Sequence, residues 1–318
     1  MSILISGSFA YDYIMDFPDS FKHHILPDQI HILNVGFVVE KLQKNFGGTG
    51  GNIAYTMKLL GGEPILRTIA GNDAKEYLEY LEYHNIKIQY IYVDTKTLTA
   101  SAYITTDKDD NQITAFYPGP NIDVAALSLH DIEESLTFGI IAPATKKEIM
   151  LRHAKECYEK KIPFVFDPGQ QVTAFSAQEL MQIIGQSAFV IGNDYEMRLI
   201  ENKTGWNTME LLNHTHTVII TLGERGSIIR TKDDVFEIAP CPPLSVEDPT
   251  GAGDAYRAGF FFAYSTGTDL ETCGQVGSVA ATYAVEHYGT QNHSFTKETF
   301  GQRFQDVYNK PLPFMGGK

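Results

Sequence analysis

The chain has 318 residues, of which 43% are hydrophobic and 20% charged, and its formal net charge is −14. This composition suits a globular protein with a sizeable core, and the acidic charge argues against a nucleic-acid-binding protein, which would carry a basic face. The three cysteines form no CxxC pair, no apolar run reaches a membrane-spanning length and the first residues carry no basic leader, so we expect a protein of the reducing cytoplasm.

Strand and helix signals follow one another in the first part of the chain. Residues 2–7, SILISG, are a short β-branched run that predicts a buried strand. Residues 47–62, GGTGGNIAYTMKLLGG, predict a glycine-rich loop that leads into a helix ended by the last two glycines. The run EPILRTIAGND (63–73) predicts another strand, and AKEYLEYLEYHN (74–85) predicts another helix.

The rest of the chain predicts one α/β domain. Residues 101–118, SAYITTDKDDNQITAFYP, alternate, break at a polar run and alternate again, as in a β-hairpin. From residue 138 onward, apolar runs such as PFVFDPG and TVIITLG alternate with helical stretches. We therefore expect a single domain over 1–318, with a Rossmann-like, mostly parallel sheet flanked by helices and a small β lid formed by about 12–46 and 86–120.

The run EDPTGAGDAYRAGF (247–260) carries the most informative motif. A turn precedes Gly251, Ala252 and Gly253 and an apolar helix follows them, so these residues fall at a helix N-terminus, where free N–H groups attract anions. Asp254 would repel an anion but suits a base beside a group that becomes negative, as phosphoryl transfer to an alcohol requires. The alternative is a plain helix cap.

Three other polar stretches each allow two interpretations. GGTGGN lacks the dinucleotide fingerprint, because Ile53 takes the place of the third glycine; it predicts either a ligand loop that presents Asn52 or a tight turn. In GNDYEMRLI, Asn193 and Glu196 could help to hold magnesium through water or could form a capping box. TLGERGS (221–227) predicts either the floor of a nucleotide site or an ordinary hairpin turn.

Taken in order, GSFAYD, GGTGGN, NDYE, TLGERG and DPTGAGD resemble the motifs of the ribokinase-type (PfkB) sugar and nucleoside kinases, and the resemblance covers nearly the whole chain. It implies a ribokinase-like fold and a phosphotransferase that uses ATP and Mg²⁺. It also implies the residue roles: Asp254 as the base; Gly251, Ala252 and Gly253 as the anion hole; Asp12, Gly48 and Asn52 at the sugar hydroxyls; Asn193 and Glu196 at magnesium and the phosphates; Thr221, Gly223 and Gly226 at ATP; Asp248 near a K⁺-type site.

Two segments indicate the acceptor. FDPGQ (166–170) and VEHYGTQNH (285–293) resemble bacterial adenosine kinases more than ribokinases. Aromatic residues in or beside the lid could stack on a base or simply pack the lid: Phe9, Tyr11, Phe37, Phe46, Tyr103, Phe116 and Tyr117. We count Phe116 among the substrate-binding candidates. We expect phosphorylation of the 5′-hydroxyl of a ribonucleoside, adenosine first, with a ribose or fructose kinase as the alternative.

Two other classes of protein stay open as alternatives. A non-catalytic nucleoside-binding protein on the same fold is disfavoured by the intact Asp254, since such a protein needs no base. A dinucleotide-dependent oxidoreductase is disfavoured by the failed fingerprint. We expect neither a nucleic-acid nor a membrane partner. A monomer and a homodimer are both compatible with the sequence, because an exposed edge strand of the lid could pair two subunits.

Overall fold

The computed structural model describes residues 2–25, 32, 34–109 and 111–314. Within these residues, the strands in chain order are β1 (Ser2–Ser6), β2 (Ala10–Asp16), β3 (Lys41–Gly47), β4 (Glu63–Ala70), β5 (Ile91–Val93), β6 (Ala100–Thr106), β7 (Gln112–Tyr117), β8 (Leu136–Ile141), β9 (Phe164–Phe166), β10 (Phe189–Asn193), β11 (Thr217–Thr221), β12 (Ser227–Arg230) and β13 (Val235–Ile238). The α-helices are α1 (Thr49–Leu59), α2 (Lys75–Tyr83), α3 (Lys147–Glu159), α4 (Ala177–Gln186), α5 (Asp194–Thr204), α6 (Thr208–Leu211), α7 (Ala252–Ser265), α8 (Leu270–Val285) and α9 (Lys297–Tyr308).

The larger sheet confirms the predicted, mostly parallel architecture. Its strand order is β13-β12-β11-β10-β9-β8-β1-β4-β5. All neighbours from β11 to β5 pair in parallel, and β12 and β13 add two antiparallel pairings at one edge. Parallel neighbours need crossover connections, and the helices between these strands supply them.

Helices cover both faces of the larger sheet. Side chains of a strand point alternately to opposite faces, and the buried strand β1 shows this in its two cores. Ile3 and Ile5 belong to a core with residues of α1, α2, α7, α8 and α9, whereas Leu4 between them belongs to a second core with residues of α3, α4 and α5. The near-continuous apolar runs of the sequence are therefore strands buried on both sides.

A second sheet of four strands, in the order β3-β2-β6-β7, lies next to the carboxyl edge of β1, since β2 starts four residues after β1 ends. The hairpin predicted over 101–118 is confirmed as the antiparallel pair β6 and β7. One boundary is corrected: β5 lies inside the predicted lid segment 86–120 but pairs with β4 in the larger sheet, where Ile91 is buried. Residues 26–31 and 33 of the other lid segment lie outside the described residues.

Among the described residues, none of the helices is both long enough and apolar enough to cross a bilayer.

Candidate active site

Polar residues from separate strands meet at the carboxyl edge of the larger sheet. Asp167 directly follows β9, while Asn193 ends β10 and Thr221 ends β11. Asn193 and Thr221 are register partners in neighbouring parallel strands. Ligands of open α/β sheets bind at this edge, because the strand ends and the following helix N-termini converge there.

The predicted helix start after the glycine-rich motif is confirmed. Gly251 caps α7 with φ 82°, a left-handed conformation that favours glycine. The Ala252 N–H donates to Pro249 O at 3.2 Å, so the predicted three-amide anion hole is corrected at this position. Among the described residues, the Gly251 and Gly253 N–H groups have no protein acceptor. These two amides, at the positive end of the helix dipole, are the ones that can receive an anion.

The Asp254 carboxyl lies in the first turn of α7 and is only partly exposed. Its Oδ2 accepts a 2.8 Å hydrogen bond from Asn52 Nδ2. Burial raises the pKa of Asp254 to about 7; Arg257 and the Asn52 hydrogen bond act in the lowering direction, whereas Asp167 and Asp12 raise it further. A carboxylate with a pKa near neutral pH is well matched to general-base catalysis.

A buried ion pair that sequence reasoning missed holds the start of α7 in place. Arg257 Nη2 donates to Asp167 Oδ1 at 2.9 Å, Arg257 Nε donates to Asp167 Oδ2, and Arg257 Nη1 donates to Gly253 O at 2.9 Å. The two side chains are 9% and 2% exposed. The signal in the sequence was a single arginine in the apolar run AYRAGFFFAY, because a buried charge requires a partner.

The glycines of GGTGGN are explained by protein packing. A Cβ at Gly48, whose φ is 85°, would lie 2.6 Å from Ser8 O, and one at Gly50 would lie 3.0 Å from the Gly7 backbone. The Gly50 N–H also donates to Ser8 O at 2.9 Å. The tight-turn interpretation therefore accounts for this loop, and sugar binding by Gly48 stays a prediction.

Asp12 and Asn52 are the other predicted sugar ligands; Asn52 hydrogen-bonds Asp254, and Asp12 is close enough to raise the pKa of Asp254. Burial raises the pKa of Asp12 to about 6, and the neighbouring Asp248 adds to the effect. Asn52 is buried and bridges Asp254 to Gln291, whose Nε2 donates to Asn52 Oδ1 at 2.9 Å. Contact of Asp12 and Asn52 with a sugar stays a prediction, and Gln291 is a further residue that sequence reasoning left unassigned.

Asn193 and Glu196 form the reciprocal capping box that was the alternative to a magnesium role. Asn193 Oδ1 accepts from the Glu196 N–H, and Glu196 Oε2 accepts from the Asn193 N–H, both at 2.8 Å. Burial, and secondarily Asp167, raise the pKa of Glu196. No group of three His, Cys, Asp or Glu side chains in the described ranges could hold a metal directly. Asn193 Oδ1 and Glu196 Oε2 already accept the capping hydrogen bonds, so a role for these residues at Mg²⁺ through water stays a prediction.

The TLGERG segment is a hairpin turn between β11 and β12, as one of the two interpretations predicted. Gly226 is needed for packing, since a Cβ there would lie 2.0 Å from Ile238 O. Gly223 has φ 60° and faces open space. Nucleotide binding by Thr221, Gly223 and Gly226 stays a prediction.

Asp248 ties two loops together near the start of α7. Its Oδ1 accepts from the Thr250 N–H at 2.9 Å, and its Oδ2 accepts from the Gly289 N–H at 3.0 Å. A monovalent cation near this carboxylate stays a prediction.

Two of the aromatic candidates pack in the core, which was the alternative to base stacking. Phe9 and Tyr11 are fully buried, and Phe9 stacks on Tyr77 with ring centroids 4.0 Å apart, so neither ring is available to a base. Phe116 and Tyr103 of the second sheet are 57% and 42% exposed. Base stacking by Phe116 stays a prediction, whereas Tyr103 lies on the opposite face of the second sheet and stacks on Tyr13.

Comparison with known proteins adds independent findings. The family model of pfkB carbohydrate kinases matches residues 23–297. A nucleoside kinase of Methanocaldococcus jannaschii is 34% identical over 275 residues, which are 86% of this chain and 89% of the relative.

Solved structures agree over nearly the full length. The nucleoside kinase of Burkholderia thailandensis in complex with inosine superposes with a TM-score of 0.87 at 33% identity, covering 98% of this chain and 99% of that one. The structure of the same protein in complex with ADP-inosine has a TM-score of 0.85 at 35% identity and covers 98% of this chain and 97% of its own.

Proposed function

The chain belongs to the pfkB family of carbohydrate kinases and is a phosphotransferase that acts on a hydroxyl group, and from this premise we propose that it transfers the γ-phosphoryl group of ATP to the 5′-hydroxyl of a ribonucleoside. One observation carries the proposal: the Asp254 carboxyl, whose pKa is about 7, lies beside the N–H groups of Gly251 and Gly253 at the start of α7, which have no acceptor in the described part of the chain. A base and an anion hole side by side are what phosphoryl transfer to an alcohol needs.

In the proposed reaction, Asp254 accepts the proton of the hydroxyl group as its oxygen bonds to phosphorus and the bond to the leaving ADP breaks. The Gly251 and Gly253 N–H groups donate to the transferring phosphoryl oxygens. Arg257 holds the Gly253 carbonyl at 2.9 Å and so keeps these amides in place. Mg²⁺, held through water by Asn193 and Glu196, would neutralise phosphate charge when it is bound.

A purine ribonucleoside is the acceptor class that we propose, with adenosine tested first. The nucleoside kinases of M. jannaschii and B. thailandensis are full-length relatives, and the second was solved with inosine. The exposed ring of Phe116 could stack on a base, because Phe116 pairs with Ala102 and Ala102 pairs with Asp12, which places Phe116 on the Asp12 face of the second sheet. The family description also names carbohydrate kinases, so a ribose or fructose kinase is the rival within the class.

A panel of acceptors tests the proposed substrate class. Purified protein is given ATP and Mg²⁺ with adenosine, inosine, ribose or fructose, and ADP formation is followed. We expect kcat/KM for a nucleoside to exceed that for ribose by at least about 100-fold, because a site built for a base loses those contacts with a bare sugar. A preference for ribose or fructose would establish the rival instead. Nucleoside binding without ADP formation would indicate a non-catalytic protein, and an Asp254→Asn control excludes a contaminating kinase.

The pH dependence of the rate is a second expected result. Since burial holds the pKa of Asp254 at about 7, the reactive carboxylate should decrease about tenfold for each pH unit below that value. We expect kcat/KM for the nucleoside to be level above pH 8 and to fall with unit slope below about pH 7. Initial rates between pH 5 and 9, with folding checked at each pH by circular dichroism, measure this. A level profile down to pH 5 in folded protein would contradict a base with this pKa.

A further inference from the structure

A chain of buried hydrogen bonds runs from the backbone of Gly47 to the Asp254 carboxylate. The Tyr77 hydroxyl donates to Gly47 O at 3.0 Å. Gln291 Nε2 donates both to the Tyr77 hydroxyl oxygen and, at 2.9 Å, to Asn52 Oδ1. Asn52 Nδ2 then donates to Asp254 Oδ2 at 2.8 Å. Four segments of the chain that are remote in sequence are joined in this way.

The direction of every bond in this chain follows from its first member. A backbone carbonyl only accepts, so Tyr77 must donate its single proton to Gly47 O, and the Tyr77 oxygen is left to accept. The Gln291 atom that faces Tyr77 is therefore the amide nitrogen. That nitrogen also faces Asn52, which must present its oxygen to it. The remaining nitrogen of Asn52 then points to Asp254, and the carboxylate can only accept.

The surroundings hold the first links rigidly. Tyr77 is fully buried, and its ring lies between Phe9 and Phe46 with centroid distances of 4.0 and 4.5 Å. A Cβ at Gly51 would lie 2.0 Å from the Tyr77 hydroxyl oxygen, so glycine at this position makes room for the hydroxyl. Burial raises the pKa of Tyr77, which keeps the hydroxyl protonated. The donor to Gly47 is thus permanent.

The Gln291 amide makes its hydrogen bonds within the described residues through Nε2. The residue is 3% exposed, and its Oε1 has no hydrogen-bond partner among the described residues. Turning the amide over would place this oxygen against the oxygen of Asn52 and would leave an unpaired NH₂ group in the interior. Buried donors without acceptors are strongly disfavoured, so the observed orientation is the one that the Tyr77 hydroxyl selects.

We infer that Tyr77 and Gln291 are positioning residues for the phosphoryl transfer: they orient the Asn52 amide so that it donates to Asp254 and leaves the second carboxylate oxygen for the substrate hydroxyl. This inference rests on the proposed function, in which Asp254 is the base. If the Asn52 amide were reversed, its oxygen would face Asp254 and would favour the protonated carboxyl, which cannot accept a proton.

Other charged and titratable groups also face Asp254. Arg257 of α7 lowers its pKa, while Asp167 after β9 and Asp12 of β2 raise it. Tyr77 of α2 stays neutral. The variants described next leave the three charged groups in place, so any change in the pH profile reports on the hydrogen-bond chain.

Tyr77→Phe removes the hydroxyl that sets the direction of the chain. We expect the pH below which kcat/KM falls to rise by about one unit, which lowers kcat/KM about tenfold at pH 6 and much less at pH 9. The matched control is Tyr80→Phe in the same helix, because the Tyr80 hydroxyl donates to the backbone oxygen of Gln291 at 2.7 Å and not to its amide group. That variant should keep the wild-type pH profile.

Gln291→Met provides a second route, since it removes the amide and keeps a similar volume. We expect the same upward displacement of the profile, and the Tyr77→Phe/Gln291→Met double variant should move it no further, because both changes break one chain. The inference would be overturned if the shifts of the pH profile in the two single variants added in full in the double variant. It would also be overturned if the Tyr77→Phe profile moved no more than the Tyr80→Phe profile. The assignment of Asp254 as the base is tested separately. If Asp254→Asn retains turnover, the proposed function fails. If Asp254→Asn is inactive and the Tyr77→Phe pH profile does not move, only the positioning role of the hydrogen-bond chain is overturned.

Discussion

Asp254→Asn is expected to lower kcat by about 10²- to 10⁴-fold, the usual contribution of a general base, while the Kd for the nucleoside stays within about tenfold of wild type. Asparagine keeps the shape of the side chain and can still hydrogen-bond a hydroxyl, but it cannot accept its proton. Single-turnover rates and calorimetric titration with adenosine measure the two quantities. Near-normal turnover in the purified variant would refute the base assignment and, with it, the proposed mechanism.

Thermal stability separates loss of the base from loss of the fold. The folded-state pKa of Asp254, about 7, lies above its ordinary value of 3.8. The folded protein therefore binds this proton more tightly than the unfolded chain does, and protonation of Asp254 stabilises the fold. This contribution to the free energy of unfolding is fully present below pH 3.8 and is lost as pH rises between 3.8 and about 7. Asparagine never ionises. We expect Asp254→Asn to melt at or above the wild-type temperature at pH 8, with a difference that shrinks towards pH 5. If Asp254→Asn were less stable than wild type at pH 8, its loss of activity could be explained by unfolding.

The second large effect is expected at the buried ion pair. Arg257→Met should lower the free energy of unfolding by about 3–5 kcal/mol, because it leaves the Asp167 carboxylate buried without its partner. The surviving activity should also require a higher pH, since Arg257 lowers the pKa of Asp254. Urea denaturation at pH 7.5 and the pH dependence of kcat/KM measure the two effects.

Two controls show whether this cost comes from burial. Arg225→Met breaks an exposed ion pair with Asp194, 3.0 Å long, and should cost no more than about 1 kcal/mol. The Arg257→Met/Asp167→Leu double variant removes both buried charges and should recover most of the lost stability, although not the activity. If Arg257→Met costs no more than Arg225→Met, the pair does not hold the start of α7.

Much of the fold could be predicted because its signals are local. The β-branched runs ending in turn residues became the strands of the larger sheet, and the break in the run 101–118 became the hairpin of β6 and β7. The helix start at Gly251 was predictable for the same reason, since a turn, a glycine and an apolar run are all read within a few residues. Where one local pattern is compatible with two structures, as in GGTGGN, the sequence does not decide between a ligand loop and a tight turn.

What the sequence left open or misplaced concerns the neighbours of each residue. Phe9 and Tyr11 could have stacked on a base or packed, and nothing in the sequence shows that the core covers them completely. β5 has a strand pattern, but only the position of β4 decides which sheet it joins. Side-chain type indicates that a residue can be buried or can stack, and the neighbours that decide between these are set by the fold as a whole.

The sequence by itself determined the α/β pattern and the carboxylate at a glycine-rich helix start, because these signals are local, and the order of its motifs indicated a kinase through their resemblance to the ribokinase-type family. Only the tertiary structure decided how that carboxylate is controlled. Arg257 and Asp167 are 90 residues apart in sequence, and Asn52 and Gln291 are 239 apart. The pKa of a buried acid depends on its burial and on the charges around it, and the direction of an amide depends on its hydrogen-bond partners, and no local pattern records which distant residues supply them.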